Sequence, residues 1–217
     1  MNFTSLLFIA TTLLAVYLFY RAANFHRPVV ILLIAWLLLQ AGVAFTGFYE
    51  NTAVMPPRFL LLVLPPLAAV IYLLVSSYKS RFSLAALTLL HIVRIPVELV
   101  LHQLYLQGKV PANMTFEGNN FDIISGVTAP FIWYYGFVKP RLHRGVVVAW
   151  NVVCLALLAN IVVRAVLSAP TPFQRLGFEQ PNVAVLQFPY VWLPGCVVPL
   201  VLLAHLVVLV RLFHQKK

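Results

Sequence analysis

The chain has 217 residues, of which 62% are hydrophobic and only 9% are charged. Soluble domains carry about 25% charged residues, so this composition excludes an ordinary soluble protein and indicates an integral membrane protein. The net charge of +10 does not indicate a nucleic-acid partner, because the basic residues lie in short stretches between apolar segments, as they do in membrane proteins.

Seven apolar segments follow one another along the chain, each near the length of about 20 residues that a spanning helix needs. Their predicted bounds are 4–20, 28–48, 57–77, 83–106, 121–138, 145–167 and 190–213. The sequence therefore predicts one all-α domain over residues 1–217, a multi-pass seven-transmembrane helix bundle. No basic residue precedes the first segment, as a signal peptide would require, so we expect a retained helix there.

The distribution of basic residues predicts the orientation of the bundle. Alternate connections between the segments are rich in Lys and Arg, whereas most acidic residues lie in the other connections. The basic set is Arg21, Arg27, Lys79, Arg81, Lys139, Arg141 and Arg144, with Arg211, Lys216 and Lys217 near the C-terminus. Because basic loops stay in the cytoplasm, we expect the N-terminus outside and the C-terminus inside, in a bacterial inner membrane or an equivalent membrane.

The fourth segment carries a stripe of ionisable side chains. The stripe consists of His91, Arg94, Glu98, His102 and Tyr105. On a continuous helix, with about 100° per residue, they fall within an arc of roughly 80°. Showing charges to lipid is costly, so we expect this face to turn toward protein, water or a bound ligand.

Three residues of the stripe and one histidine of the seventh segment are candidate metal ligands: His91, Glu98, His102 and His205. Glu98 and His102 are four residues apart, so as helix neighbours they can share a metal ion or form an ion pair. His91 and His205 can face each other at similar depth and hold zinc or iron, with a haem iron as the alternative. Pro96 interrupts the segment: it can kink the helix and open a pocket beside the stripe, or it can simply be tolerated, as proline is in other membrane helices.

The stretch after the fourth segment adds two carboxylates, Glu117 and Asp122. Asn120 can cap the fifth segment, and Asp122 lies in its first turn, where the helix dipole favours a negative charge. This structural role accounts for Asp122. Glu117 has no such role, so we expect it to contribute more to function. Both carboxylates are expected to meet Glu98 at the outer end of the bundle and to act with Arg94 as catalytic groups.

Asn160 and Arg164, four residues apart in the sixth segment, are candidate substrate-binding residues together with Tyr105. Arg164 is expected to be the counter-ion of one of the carboxylates. Asn151 points the other way and is expected to form a hydrogen bond between helices. The long stretch 168–189 is expected to be either an ordered connector or a lid over the outer mouth of the bundle.

Three functions fit this pattern. The first is a metal-dependent membrane enzyme, a hydrolase or an oxidoreductase, that acts on a lipophilic substrate. The second is a transporter or sensor that binds a small polar ligand or relays protons along the stripe, although no internal repeat supports transport. The third is a scaffold subunit of a membrane complex. The expected partners are the lipid bilayer and a lipophilic or small polar ligand.

Overall fold

A computed structural model describes residues 2–52 and 54–214. Lys216 and Lys217, which contributed to the predicted orientation, lie outside the described residues. The described chain contains eight α-helices and no strand, which confirms the all-α class. The helices are α1 (Phe3–Ala22), α2 (Arg27–Phe45), α3 (Leu60–Val75), α4 (Leu84–Leu90), α5 (Arg94–Leu106), α6 (Ile123–Trp133), α7 (Arg144–Ser168) and α8 (Val198–His214).

Irregular turns extend several of these helices. A 3-10 turn, His91–Val93, joins α4 to α5 in one helical segment. A π turn, Tyr134–Val138, prolongs α6, and another, Leu193–Val197, leads into α8. All seven predicted segments are therefore helical for most of their length. Shorter 3-10 turns lie in the connections at Phe48–Glu50, Ser77–Arg81, Ala112–Met114 and Ala184–Leu186.

Five helical segments are long and apolar enough to cross a membrane, as expected of a membrane protein. They are Phe3–Ala22, Arg27–Phe45, Leu84–Leu106, Arg144–Ser168 and Leu193–His214. The other two predicted segments form apolar helices that are shorter, Leu60–Val75 and Ile123–Val138.

The α4–α5 segment and α8 form the centre of the bundle. Within their most apolar stretches 56% and 61% of the residues are buried, compared with 22% in α2 and 28% in α7. Helices α1, α6 and α8 pack against α4, while α3 and α7 pack against α8. The ionisable residues of the fourth segment are therefore carried by one of the two most enclosed helical segments.

One end of the bundle holds the basic connections and is called the basic end below. Here the side-chain amide of Asn24 donates to the backbone carbonyl of Arg81 at 2.5 Å. Arg211, near the end of α8, donates to the carbonyl of Phe82. The connections at this end are 23–26, 76–83 and 139–143.

The opposite end, called the loop end, holds the longer connections. Gln107 donates to the hydroxyl of Thr4 at 3.0 Å, and the hydroxyls of Ser5 and Tyr190 are 3.1 Å apart. These bonds tie the start of α1 to the chain after α5 and to the chain before α8. The connections at this end are 46–59, 107–122 and 169–192.

The connection 107–122 folds back into the bundle. Its buried residues include Val110, Met114, Thr115 and Asn120. A Cβ added to Gly126 of α6 would lie only 2.9 Å from the backbone nitrogen of Ile95. Since Ile95 lies about 16 Å below the end of α5, α6 begins deep in the bundle and the loop descends to reach it. Irregular backbone at this depth is tolerated because protein surrounds it.

The long connection 169–192 is an ordered connector that packs on the descending loop. The backbone N–H of Asn182 donates to the carbonyl of Ser168 at 2.8 Å. Gln180 donates to the carbonyls of Tyr105 and Val110 at 2.8 and 2.6 Å. Of the two expectations for this stretch, the ordered connector is confirmed, and it lies across part of the loop end.

Candidate functional site: a buried polar centre

The helix that carries the ionisable stripe changes its winding at His91. The 3-10 turn His91–Val93 advances by about 120° per residue, so the α-helical phase assumed over the whole segment does not hold. Pro96 lies in the first turn of α5, where a missing N–H removes no intrahelical bond. The stripe consequently divides into residues that face different neighbours.

Arg94 and Asp122 form a buried ion pair. Nη1 of Arg94 lies 2.8 Å from Oδ1 of Asp122, and the side chains are 3% and 7% exposed. The same nitrogen is 3.4 Å from the backbone carbonyl of Cys154 in α7. Asp122 immediately precedes α6, but its side chain forms no capping hydrogen bond. Asp122 therefore has more than the structural role expected from the sequence.

Glu98 is held by Asn120, a residue outside the predicted site. Nδ2 of Asn120 lies 2.7 Å from both carboxylate oxygens of Glu98 and 3.0 Å from the carbonyl of Met114. Oδ1 of Asn120 accepts from the backbone N–H of Asp122 at 3.1 Å. Asn120 thus links the Glu98 carboxylate of α5 to the backbone immediately before α6. The sequence offered one indication of this contact: a carboxylate inside the bundle needs hydrogen-bond donors, and Asn120 lies in the loop that follows the helix of Glu98.

His91 and His205 are stacked at the centre of the bundle. Their ring centroids are 3.8 Å apart, with 20° between the planes, so the expectation that they lie at similar depth is confirmed. Nδ1 of His205 lies 2.9 Å from Oδ1 of Asn151, the predicted hydrogen bond between helices. Trp150 closes one side, with its ring centroid 5.5 Å from that of His91. Rings stacked face to face do not direct their nitrogens at a common ion, which disfavours the metal and haem arrangements expected for this pair.

Several polar atoms at the centre have no hydrogen-bond partner among the described residues. They are both ring nitrogens of His91, Nε2 of His205, Nε and Nη2 of Arg94, and Oγ of Ser125. Leaving such a group unsatisfied costs about 1–3 kcal/mol, so these atoms are available to bind water or a polar ligand. We call His91, Arg94, Glu98, Asn120, Asp122, Asn151 and His205 the polar centre.

His102 and Tyr105 lie at the rim, above the polar centre. Nδ1 of His102 is 3.5 Å from Oε1 of Glu117, whose side chain is 49% exposed. His102 also stacks on Phe116, with ring centroids 4.6 Å apart. The nearest carboxylate to His102 is Glu117, whereas Glu98 is hydrogen-bonded to Asn120, so the structure gives no support to the expected pairing of His102 with Glu98 on one metal ion.

Asn160 and Arg164 are bound to each other and to the descending loop. Nε of Arg164 donates to Oδ1 of Asn160 at 2.9 Å, and Nδ2 of Asn160 donates to the carbonyl of Asn119 at 2.9 Å. In the described part of the chain, Arg164 reaches no carboxylate within 4.0 Å. The prediction that it is their counter-ion is therefore wrong, because Arg94 pairs with Asp122 deeper in the bundle.

The four predicted metal ligands do not converge. Within residues 2–52 and 54–214, no group of three or more His, Cys, Asp or Glu side chains is placed to hold a metal ion. The candidates instead occur in separate pairs: His91 with His205, Glu98 with Asn120, and His102 with Glu117. The folded-back loop separates them, because it inserts Asn120 beside Glu98 and leaves Glu117 at the surface.

Comparison with known proteins places the chain in one family. Residues 58–213 match the family model described as a domain of unknown function, DUF8737. No curated protein and no solved structure matches the chain. The matched region begins just before α3 and contains every residue of the polar centre. The chain therefore belongs to the DUF8737 family.

Proposed function

We propose that the chain crosses the membrane seven times, with the basic end in the cytoplasm and the loop end outside. All five acidic residues lie in the loop-end connections or in the polar centre: Glu50, Glu98, Glu117, Asp122 and Glu179. The connections at the basic end carry only positive charges, in accord with the positive-inside rule. The short helix Ile123–Val138 can complete a crossing because the folded-back loop fills the remaining depth.

Cysteine labelling in intact cells tests this orientation. A membrane-impermeant maleimide should label a Glu179→Cys variant from outside and a Ser80→Cys variant only after permeabilisation. Both positions are exposed, whereas Cys154 and Cys196 are buried, so the native thiols provide a low background. If only the Ser80→Cys variant were labelled in intact cells, the orientation would be the opposite of the one proposed.

We propose further that the polar centre binds protons that arrive from the loop end, and that the protein is a membrane pH sensor. The observation that carries this proposal is a set of titratable side chains placed at increasing depth from an exposed carboxylate. Glu117 lies beside His102, and His102 is one helical turn from Glu98. Asn120 lies between Glu98 and Asp122, where it contacts the carboxylate of Glu98 and the backbone N–H of Asp122, and the Arg94 partner of Asp122 is one turn from His91. Asn120 and Arg94 do not titrate, so a proton would pass these points through water. Such a series supplies stepping sites for a proton.

The series stops in the middle of the bundle, and this supports a switch rather than a conducting path. Beyond His205 in α8, the next titratable groups are Arg211 and His214, at the basic end. Below His91, α4 offers only the hydroxyl of Thr88. The helices that pack around the polar centre add few polar groups: α7 contributes the thiol of Cys154, Asp122 precedes α6, and α1 contributes buried threonine hydroxyls. No acidic residue continues the series to the basic end.

Protonation would change how α5 packs on α6. The Arg94–Asp122 ion pair and the Glu98–Asn120 hydrogen bonds tie α5 to the descending loop and to the start of α6. A proton on Asp122 removes the ion pair, and a proton on Glu98 converts an acceptor of the Asn120 bonds into a donor. Either event loosens the same contact, as in other switches driven by local charge changes.

Hydrogen exchange in lipid nanodiscs tests the sensor. After correction for the intrinsic rate, the wild type should lose amide protection over residues 107–126 as the pH falls. Glu98→Gln should show the low protection at every pH, because its amide keeps one acceptor oxygen but replaces the other with an NH2 donor that faces the donor amide of Asn120. Glu179→Gln removes an exposed acidic residue at the same end and should behave as the wild type. Protection that does not depend on pH would contradict the sensor.

A second candidate, a proton-coupled transporter of a small polar solute, is favoured by the unpartnered atoms of His91, His205 and Arg94. Because Asp122 already balances Arg94, the solute would be neutral and rich in hydrogen-bond acceptors. Proteoliposomes that acidify when such a solute is added, and fail to do so with Glu98→Gln, would favour transport over sensing. The metal-dependent enzyme expected from the sequence has less support, because its ligands lie in separate pairs.

A further inference from the structure

A large apolar cleft is lined by none of the residues of the polar centre and by none of residues 107–122. It is about 870 Å³ in volume and is lined by α1, α2, α3 and α8. Helix α2 packs on α1, and α3 packs on α8, so the cleft occupies the space between α2 and α3. Its volume is in the range of about 300–1,000 Å³ typical of sites for small ligands.

Two prolines and one tryptophan line the part of the cleft that lies nearer the loop end. Pro199 has no N–H, and the carbonyl of Gly195, four residues earlier, instead accepts a hydrogen bond from the indole of Trp36 at 2.8 Å. A Cβ on Gly195 would lie 2.7 Å from Cδ1 of Leu62, so α3 also approaches closely at this level. Pro66, within α3, lines the same cleft. At the end of the cleft nearer the loop end, α2 and α3 are therefore both held close to the turn that leads into α8.

The lower part of the cleft carries polar and basic groups. Asn24, His26, Tyr78 and Arg81 line it at the basic end. The guanidinium of Arg81 lies 4.9 Å from the centroid of the Tyr78 ring, which orients it at the mouth. Arg81 has no carboxylate within 4.0 Å among the residues described. The apolar cleft therefore ends, at the basic end, beside the positive charge of Arg81.

We propose that this cleft binds one anionic phospholipid, with its acyl chains between α2 and α3 and its phosphate at Arg81 and His26. Basic pockets between membrane helices bind anionic headgroups in this way, because the apolar walls hold the chains and the cationic rim holds the charge. A second copy of this chain would bring another positively charged basic end to the mouth and is therefore disfavoured. The site lies apart from the polar centre.

Native mass spectrometry of the purified, delipidated protein tests the headgroup. Phosphatidylglycerol and phosphatidylcholine with identical chains are titrated separately, and phosphatidylglycerol should bind more tightly. Arg81→Gln should weaken phosphatidylglycerol binding about fivefold and phosphatidylcholine binding less, because the choline cation offsets the attraction between its phosphate and Arg81. Arg141→Gln removes an exposed charge from the same end but outside the cleft, and should change neither affinity. Equal binding of both lipids, or an equal loss with Arg141→Gln, would overturn the proposal.

A pair of neighbouring alanines tests where the chains lie. Ala69 lines the cleft, whereas Ala68 is exposed elsewhere on α3. Ala69→Trp should fill the cleft and abolish the tight phosphatidylglycerol site, while Ala68→Trp should preserve it. In a second measurement, phosphatidylglycerol with brominated chains should quench the fluorescence of Trp36 more than brominated phosphatidylcholine does. An unchanged affinity in Ala69→Trp, or equal quenching by the two lipids, would place the lipid on the general surface instead.

Discussion

The two ends of the bundle treat their charged residues in opposite ways. Toward the loop end, Arg94, Glu98 and Asp122 are drawn inside and paired through an irregular loop that descends to meet them. Toward the basic end, charges such as Arg81 remain at the rim, and the interior beside them is an apolar cleft. Buried charges need charged or hydrogen-bonding partners from the protein itself, whereas charges at the rim can attract an oppositely charged partner from the membrane.

The largest expected effect comes from breaking the buried ion pair. Arg94→Met leaves Asp122 charged and unpaired, and should lower the free energy of unfolding by about 3–5 kcal/mol. The double variant Arg94→Met/Asp122→Leu should recover most of that loss, because it removes both charges. Unfolding in detergent micelles, followed by circular dichroism, provides the measurement.

The matched control for that experiment lies at the basic end. Arg81→Met removes an exposed arginine and should change the free energy of unfolding by less than about 0.5 kcal/mol. If Arg94→Met and Arg81→Met lowered the free energy of unfolding by similar amounts, the two ends of the bundle would not differ in the way described.

Loss of the bridging amide should have the next largest effect. Asn120→Leu keeps the approximate size of the side chain but takes both donated bonds from Glu98, and should cost about 1.5–3 kcal/mol. Asn119→Leu, one position earlier and exposed, should stay within about 0.5 kcal/mol of the wild type. The same unfolding assay distinguishes them, and an Asn120→Leu variant as stable as its neighbour would show that Glu98 does not depend on this amide.

The close approach of α5 and α6 predicts a smaller steric effect. A Cβ on Gly126 would meet Cγ1 of Ile95 at 2.8 Å, so Gly126→Ala should destabilise the fold by about 1–3 kcal/mol. A Cβ on Gly42 in α2 would have no atom within 4 Å, and Gly42→Ala should be neutral or stabilising. Comparing their melting temperatures checks the packing, and a neutral Gly126→Ala would mean that α6 does not start so deep.

The smallest effect is expected for the hydrogen bond between α7 and α8. Asn151→Ala removes the contact with His205 and should cost about 0.6 kcal/mol, the average for such bonds within membranes. Val152→Ala, exposed on the same helix, should be close to neutral. A loss larger than that of Asn120→Leu would reverse the ranking and make the histidine pair the main stabilising element.

The helical segments and the buried stripe could be predicted because both depend on local patterns. Hydrophobic length identified the seven segments, and the cost of charge in lipid placed Arg94 and Glu98 inside the bundle. The similar depth of His91 and His205 also followed from their positions along the helices, since rise per residue is nearly constant, provided that the fourth and seventh segments pack together.

The partners of these residues could not be predicted, because they depend on the path of an irregular loop. No periodicity indicates that 107–122 turns back into the bundle. The sequence therefore predicts a helix cap for Asn120 and places Asp122 near Glu98 at the outer end of the bundle, but it predicts neither the Arg94–Asp122 pair nor the contact of Asn120 with Glu98. The 3-10 turn at His91–Val93 also broke the helical phase from which one continuous stripe was expected. Arg164 had the right charge to pair with a carboxylate, but its Nε donates to Asn160, and among the described residues no carboxylate lies within 4.0 Å of it.

Infrared difference spectroscopy, recorded on an acid step from outside sealed proteoliposomes, most directly tests the claim that the polar centre takes up protons from the loop end. The account predicts that part of the protonated-carboxyl absorption of the wild type belongs to Glu98, so that this component is missing in Glu98→Gln and present in Glu179→Gln. A spectrum that is the same in Glu98→Gln as in the wild type, or a Glu98 component that appears only when the acid is inside vesicles with the loop end facing outward, would contradict it.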